Sequence, residues 1–446
     1  MLYKTLKLLF TLTTKAYFRS ITIHGKEDLP PKNTPVIFAA NHPSAFMDPI
    51  LLGAFIKRPL YFLARGDIFS NKFARSVFNL MHMIPVYKAE DSPGQMHKNA
   101  STVEKCYDHL GENKTILIFP EGVSKTERRL REIKTGTARI ALGAEEKHDF
   151  KLGLTIIPVG LNYSNPHLFK SDVLVNFGKP IIVSDYKDSF TKDAREAVVQ
   201  LTVRIKSDLE AQMIVIENEE LEKTIENIET LYRSALRQDN SEEAKGSQDF
   251  KLSQDIVKAV EHFAQHEPAI LIKFQRDIKA YLDDLEQSQL SDKQIRSASI
   301  KLDVIRKFAY FLIGFPFFLF GLITNFIPFK LTGIITRAAK AREDFVGAVT
   351  LAVGLFVFLI IYGLETWAIA SYTNNIVGLF FLISLYPAGL FTINYFVSFY
   401  KLQITFKYLS VFVRKSDLIT RLKTDRQALI DELEKRKADY LEFTKA

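Results

Sequence analysis

Three long runs without a charged residue, Phe308–Phe329, Phe345–Leu364 and Ile376–Tyr400, limit what this chain can fold into more than any other feature. They hold 22, 20 and 25 residues. A helix rises about 1.5 Å per residue and the hydrocarbon core of a bilayer is about 30 Å thick, so each run is long enough to span. A chain confined to the cytosol is excluded. The mean hydropathy of +0.01 conceals this, because all 59 basic and 51 acidic residues fall outside the three runs. The remainder is therefore as charged as a soluble domain, and the chain reads as a soluble protein joined to a membrane one. Its net charge of +8 suits an anionic membrane surface or anionic substrates. No nucleic-acid motif accompanies that charge, so no nucleic-acid partner is expected. The single cysteine, Cys106, excludes an intramolecular disulfide or a Cys-rich metal site and reads as a packing residue.

Along the chain, residues 1–20 carry Lys4, Lys7, Thr11 and Lys15 on one side of a helix and Leu2, Leu6, Leu9 and Phe10 on the other, the pattern of an amphipathic helix on a membrane surface. The short apolar stretch Leu8–Leu12, with no small-residue cleavage site after it, argues against a secretory signal. In residues 21–190, strand-like runs at Pro35–Asn41, Pro59–Ala64, Thr115–Phe119, Leu154–Leu161 and Val173–Phe177 alternate with helical stretches, which predicts an α/β domain. Residues 191–303 form a charged helical region, with Asp239–Gln248 as a polar linker. Residues 304–415 hold the membrane runs, and residues 416–446 a charged C-terminal helix.

Basic residues lie on both flanks of the first run, Lys301, Arg306 and Lys307 before it and Lys330, Arg337, Lys340 and Arg342 after it. By the positive-inside rule both of its ends are cytoplasmic, and Gly314 and Pro316 offer a place to bend it into a non-crossing hairpin. The loop Glu365–Asn375 contains no Lys or Arg and is expected outside, while Lys401, Lys407, Arg414 and Lys415 return the chain to the cytoplasmic side. The expectation is an integral membrane protein with two spans, one kinked element and a cytoplasmic catalytic domain.

Chemistry concentrates where apolar strands end. Asn41-His42-Pro43-Ser44-Ala45-Phe46-Met47-Asp48-Pro49 directly follows the first of them. Six positions on an unbroken helix turn through about 600°, so His42 and Asp48 share no helical face and a turn must bring them together. Pro43 and Pro49 disfavour continuous helix, and a turn followed by a short helix returns the carboxylate to one imidazole nitrogen. A His–Asp pair of this kind is a general base: the carboxylate fixes the tautomer and stabilises the imidazolium as a hydroxyl is deprotonated. Acyl transfer to an alcohol requires that.

Phe119-Pro120-Glu121-Gly122-Val123-Ser124 again follows a strand, placing Glu121 at the same sheet edge, where open α/β sheets bind ligands. Arg65, at the end of another strand, and Lys88, after Ile84-Pro85-Val86-Tyr87, are candidate phosphate ligands, one as a fork and one as a point charge. Ser44 lies in no Gly-x-Ser-x-Gly elbow and reads as a helix N-cap. His262 and His266 have chelating spacing but no third ligand, so no metal is expected.

Taken together, Asn41-His42 with Asp48-Pro49, then Phe119-Pro120-Glu121-Gly122, then Ile157-Pro158-Val159 resemble the ordered motifs of the glycerolipid acyltransferase superfamily, over about Ile21–Ser184. The resemblance implies an acyltransferase-type α/β domain with a helical insertion and C-terminal transmembrane helices. It also implies a His42–Asp48 catalytic dyad, with Glu121, Gly122 and Ser124 helping to place the acceptor and Lys88 where the family usually has an arginine. Two departures stand out: five residues separate His42 from Asp48 where four are usual, and Val123-Ser124-Lys125 replaces Thr-Arg-Ser. With Lys134-Thr135-Gly136 and the later membrane segments, these are similar to the fungal glycerol-3-phosphate/dihydroxyacetone-phosphate acyltransferase branch. The implied reaction is direct acyl transfer from acyl-CoA or acyl-carrier protein, as co-substrate without a bound cofactor, to glycerol 3-phosphate or to lysophosphatidate. A non-catalytic membrane scaffold and a lipid hydrolase are the alternative readings.

Overall fold

Val36, Phe38 and Ala40 pack into one hydrophobic cluster and Ile37 and Ala39 into another, and all five are buried. A strand buried on both sides belongs at the centre of a sheet covered by helices on each face. The computed structural model describes residues 2–69, 71–88, 94–236, 242–288, 290–292, 295, 301–414 and 416–444. They divide into two units, one of residues 1–215 with 332–356 and the other of residues 216–331 with 357–446.

The first unit is an α/β sandwich. Its strands are β1 (Ser20–His24), β2 (Val36–Ala40), β3 (Leu60–Arg65), β4 (Met83–Val86), β5 (Thr115–Ile118), β6 (Thr155–Tyr163), β7 (Asp172–Phe177) and β8 (Ile181–Ile182). They lie in the order β1-β7-β6-β2-β5-β3-β4, with β8 also on β6. The five strands from β6 to β4 are mutually parallel, while β7 runs antiparallel to β6 and β1 parallel to β7. The carboxyl ends of β2, β3, β4, β5 and β6 therefore share one edge. Helices α3 (Asn99–Gly111), α4 (Gly136–Lys147) and α5 (Ala194–Glu210) contribute Cys106, Ala141 and Leu201 to the core on one face. On the other face α1 (Leu2–Tyr17) and α2 (Met47–Phe55) contribute Tyr17, Met47 and Leu51, together with Ala348 and Leu351. Burial pushes the Cys106 thiol up to about 12, consistent with packing and not reactivity.

Three expectations change here. Half of the polar stripe of α1 turns inward, with Lys4 and Lys15 left exposed: Thr11 Oγ1 donates to the Ala54 carbonyl at 3.2 Å and Lys7 Nζ to that of Ile56. Carbonyls at the end of α2 lack intrahelical partners, and hydroxyl and ammonium donors satisfy them. Helix α5, which its charge groups with the helices after it, packs on the sheet instead, because Ala197, Leu201 and Ile205 make a continuous apolar stripe along it. The helix Glu242–His266 covers most of the expected linker, and residues 239–241 lie outside the described residues.

In the second unit, helices Glu222–Leu236, Glu242–His266, Pro268–Gln287 and Ser416–Phe443 pack together. Arg426 Nε donates to buried Asp292 at 2.8 Å and the Tyr281 hydroxyl donates to the same carboxylate at 2.7 Å. Among the described residues, three helices are long and apolar enough to cross a membrane, Ala309–Ala338, Phe345–Tyr372 and Asn375–Tyr400. The first continues without a hairpin through Gly314, Pro316 and Pro328, contrary to expectation. Each proline removes one ladder bond, and a helix of 38 residues retains enough of the others to run on. Residues 365–372 are likewise helical, so the loop expected at Glu365–Asn375 shrinks to the short turn before Asn375. Small residues let the helices approach: a Cβ on Gly321 would lie 2.5 Å from the Ala388 carbonyl oxygen.

Candidate active site

The turn after β2 does what the spacing of His42 and Asp48 demands. Residues 43–46 reverse the chain and α2 begins at Met47, which puts Asp48 in the first helical turn. Nδ1 of His42 then lies 2.8 Å from Asp48 Oδ2. A carboxylate there also faces the positive end of the helix. The turn is strained at Ala45, whose φ of +37° is in the left-handed region. Four bonds among the described residues hold it: Ser44 N donates to Asp48 Oδ2 at 2.8 Å, Ala45 N to Ser124 Oγ at 2.7 Å, Met47 N to the Ser44 carbonyl at 2.8 Å, and the Thr126 hydroxyl to the Pro43 carbonyl at 2.8 Å.

Asp48 is completely buried and His42 is 18% exposed through its side chain. Phe119 covers one face of the imidazole, with ring centroids 3.9 Å apart and planes 12° from parallel. Nε2 makes no hydrogen bond among the described residues, so the ring is held at one nitrogen and open at the other. Asn41, just before it, bonds the Leu161 backbone in both directions, at 3.0 and 2.6 Å, and pins the end of β2 to β6.

Glu121 meets this turn from the end of β5. Its Oε1 accepts from His42 N at 2.8 Å and its Oε2 from Arg131 N at 3.3 Å. Both oxygens are thus engaged by backbone donors, which ties the His42 turn to the arm 123–135. Burial raises the Glu121 carboxyl above its ordinary range, against the opposing pull of those two N–H groups. Gly122 adopts φ +71° and its carbonyl accepts from Lys88 Nζ. Ser124 buttresses Ala45, as above. Arg65 forms a two-point ion pair with Asp67, at 2.8 and 3.1 Å. Of the seven residues picked from sequence, His42, Asp48, Glu121 and Ser124 join one bonded network, Gly122 and Lys88 border it, and Arg65 sits one strand away, bonded to Asp67.

Ser44 is not an N-cap. The cap position is Phe46, without a side-chain bond, and Ser44 Oγ is buried with no partner among the described residues, so its backbone N–H does the work. Two features escape sequence reading. Tyr163, the last residue of β6, donates its hydroxyl to Asp48 Oδ1 at 2.8 Å across 115 positions. The apolar-then-polar end of β6 signals the location, though not the contact. On the arm, Glu127 gathers Lys125 and Arg129 at 3.1 Å and Arg131 at 2.5 Å. Burial pushes Glu127 up and these cations pull it further down, leaving it below its ordinary range. The alternation of charge in Lys125-Thr126-Glu127-Arg128-Arg129-Leu130-Arg131 is the visible trace of this knot, which is cationic overall.

Residues 20–162 match the family model described as Acyltransferase. Among curated proteins, glycerol-3-phosphate O-acyltransferase 1 of Saccharomyces cerevisiae is 30% identical over 227 residues, 48% of this chain and 29% of that one. Glycerol-3-phosphate O-acyltransferase 2 of the same yeast is 34% identical over 112 residues, 25% of this chain and 15% of that one. The 1-acyl-sn-glycerol-3-phosphate acyltransferase of Borreliella burgdorferi is 27% identical over 198 residues, 42% of this chain and 73% of that one. The chain spans less than a third of the length of either yeast relative.

Proposed function

With residues 20–162 an acyltransferase-family domain, we propose that this chain is a membrane-bound O-acyltransferase that moves a fatty acyl group from an acyl thioester to the hydroxyl of glycerol 3-phosphate. The observation that carries the reading is the His42 imidazole, bonded through Nδ1 to buried Asp48 and open at Nε2. Nε2 takes the proton from the acceptor hydroxyl as its oxygen attacks the thioester carbonyl. The C–S bond then breaks, and the thiolate leaves with the proton that His42 holds. Asp48 stabilises the imidazolium between these steps.

The donor is acyl-CoA or acyl-carrier protein, and no bound cofactor or metal takes part. The cationic arm around Glu127 adds positive charge beside the His42 turn, which favours an acceptor bearing phosphate. The three apolar helices hold the enzyme in the bilayer where its acylated product dissolves. Lys401, Lys407, Arg414 and Lys415 after the third helix, and the absence of Lys or Arg from residues 365–375, support a cytoplasmic face for the catalytic domain. Lysophosphatidate is the second acceptor to test, because a relative named for acylating it is 27% identical to this chain over 198 residues.

The test is acyl transfer by the full chain in detergent, from labelled acyl-CoA and acyl-carrier protein separately, to each acceptor, beside His42→Ala. Product from glycerol 3-phosphate that falls at least a thousandfold in the variant is expected. Equal turnover in the variant sinks the dyad, and no product with any pair leaves a scaffold. Free fatty acid released without acceptor makes the protein a hydrolase.

A further inference from the structure

We propose that Tyr163 is a positioning residue for the His42–Asp48 pair, its hydroxyl locking the Asp48 carboxylate in the orientation that aims Oδ2 at the imidazole. This deepens the functional reading above and rests on it. Asp48 has no exposed surface, so each of its oxygens needs a protein donor. Oδ2 has two, Nδ1 of His42 and the N–H of Ser44, both at 2.8 Å. Oδ1 has one among the described residues, the Tyr163 hydroxyl at 2.8 Å. A carboxylate held at one oxygen alone can turn about its Cβ–Cγ bond; held at both, it cannot.

The tyrosine is itself fixed. Strand β6 runs beside β2 in register, Val159 opposite Ala40, so Tyr163 emerges at the edge where the His42 turn begins. Its ring rests against Phe18 with centroids 5.8 Å apart. Burial first, and then the Asp48 charge, raise the phenol well above its ordinary value, so it stays a donor throughout the working pH range. The other titratable groups facing this assembly are Glu121, which holds the His42 backbone, and Tyr17 of α1, on the far side of Tyr163. Lys125 reaches it through its backbone N–H, on the His42 carbonyl.

Tyr163→Phe removes the donor and keeps the ring. Acyl transfer from acyl-CoA to glycerol 3-phosphate is measured against pH for the full-length wild type, Tyr163→Phe and His42→Ala, alongside an NMR titration of His42 in chains carrying labelled histidine. The expected loss in kcat is about ten- to a hundredfold, that of one hydrogen bond to a charged group, with the acceptor KM unchanged. Without the tyrosine, the Asp48 carboxylate is held at Oδ2 alone and can turn away from the imidazole, which makes it a weaker partner for the imidazolium. The acid limb of the rate profile and the His42 midpoint should therefore both move to lower pH. A kcat equal to wild type overturns the proposal. So does a loss with neither the limb nor the midpoint moved, which a role in packing alone would give. Wild-type chain inactive with this acceptor overturns the functional reading instead, and the His42 midpoint then still decides whether Tyr163 governs the pair.

Discussion

Asp48→Asn separates the charge of the dyad from its shape. The amide carbonyl can take the place of Oδ2 and accept from Nδ1 of His42 and the N–H of Ser44, both now at 2.8 Å. Its NH2 then faces Tyr163, whose hydroxyl turns to accept where it formerly donated. The turn and the imidazole tautomer survive, and only the negative charge is lost. An imidazolium and a carboxylate with charge centres about 4 Å apart interact by about 4 kcal/mol at an effective dielectric of 20. The neutral hydrogen bond that remains recovers about 1 kcal/mol, leaving a deficit of about 3 kcal/mol in the step that charges His42. That deficit corresponds to a fall of about 150-fold in kcat. The assay is steady-state acyl transfer to glycerol 3-phosphate in detergent, with thermal unfolding measured on the same preparations. A kcat within fivefold of wild type, in a variant that melts normally, would mean that the buried carboxylate contributes no charge to the reaction.

Glu121→Gln tests the second carboxyl through pH. Its folded-state value is raised above the ordinary 4.5, so its contribution to stability is full below 4.5 and is lost as pH rises through the raised value. The stability of wild type relative to the glutamine variant should therefore decline from pH 4 towards neutrality in urea titrations, and a difference that grows with pH contradicts the burial argument. Gly122→Ala puts a Cβ on a residue at φ +71°, a conformation that costs a non-glycine residue about 1–2 kcal/mol. Chemical unfolding should register that loss, and an unchanged midpoint would mean the turn relaxes at no cost. Gly347→Val drives a side chain into the Pro166 carbonyl oxygen, which an ideal Cβ already approaches to 2.3 Å. Hydrogen exchange across residues 164–171 should speed up as the Tyr17–Pro166 bond at 3.1 Å is lost, and unaltered exchange would mean that the helix shifts without disturbing the loop.

Local chemistry made much of this legible in advance. The core strands were marked by apolar runs bounded by turn residues, and the His42 turn by two prolines around a spacing that no helix satisfies. What stayed hidden was contact between distant segments. Pro85 speaks against a strand, yet β4 accommodates it because it is an edge strand of the sheet, where a missing N–H is tolerated. Glu121 sits where a ligand-binding residue is expected, and only the fold reveals that two backbone N–H groups occupy its oxygens. Arg65 reads as an open fork until Asp67, two residues on, closes it. Helix α1 has the pattern of a membrane-surface helix, but Lys7 and Thr11 of its polar stripe meet unpaired carbonyls at the end of α2, and periodicity carries no information about that partner.

The two buried carboxyl groups at this edge divide the labour by the kind of donor each receives. Asp48 is held by the imidazole, one backbone N–H and the Tyr163 phenol, so its position is coupled directly to the His42 ring. Glu121 receives backbone donors alone, one from His42 and one from the arm that carries the Glu127 cation knot. A displacement of the arm, as when an anion engages Lys125, Arg129 or Arg131, therefore reaches His42 through Glu121 as well as through the Lys125 N–H on the His42 carbonyl. Glu121→Gln can keep only one of its two bonds, since its amide opposes a donor with a donor. The consequence separates the two carboxyls in kinetics: Asp48→Asn should lower kcat with the acceptor KM retained. Glu121→Gln should raise the acceptor KM as well, because it removes one of the ties between the arm and His42.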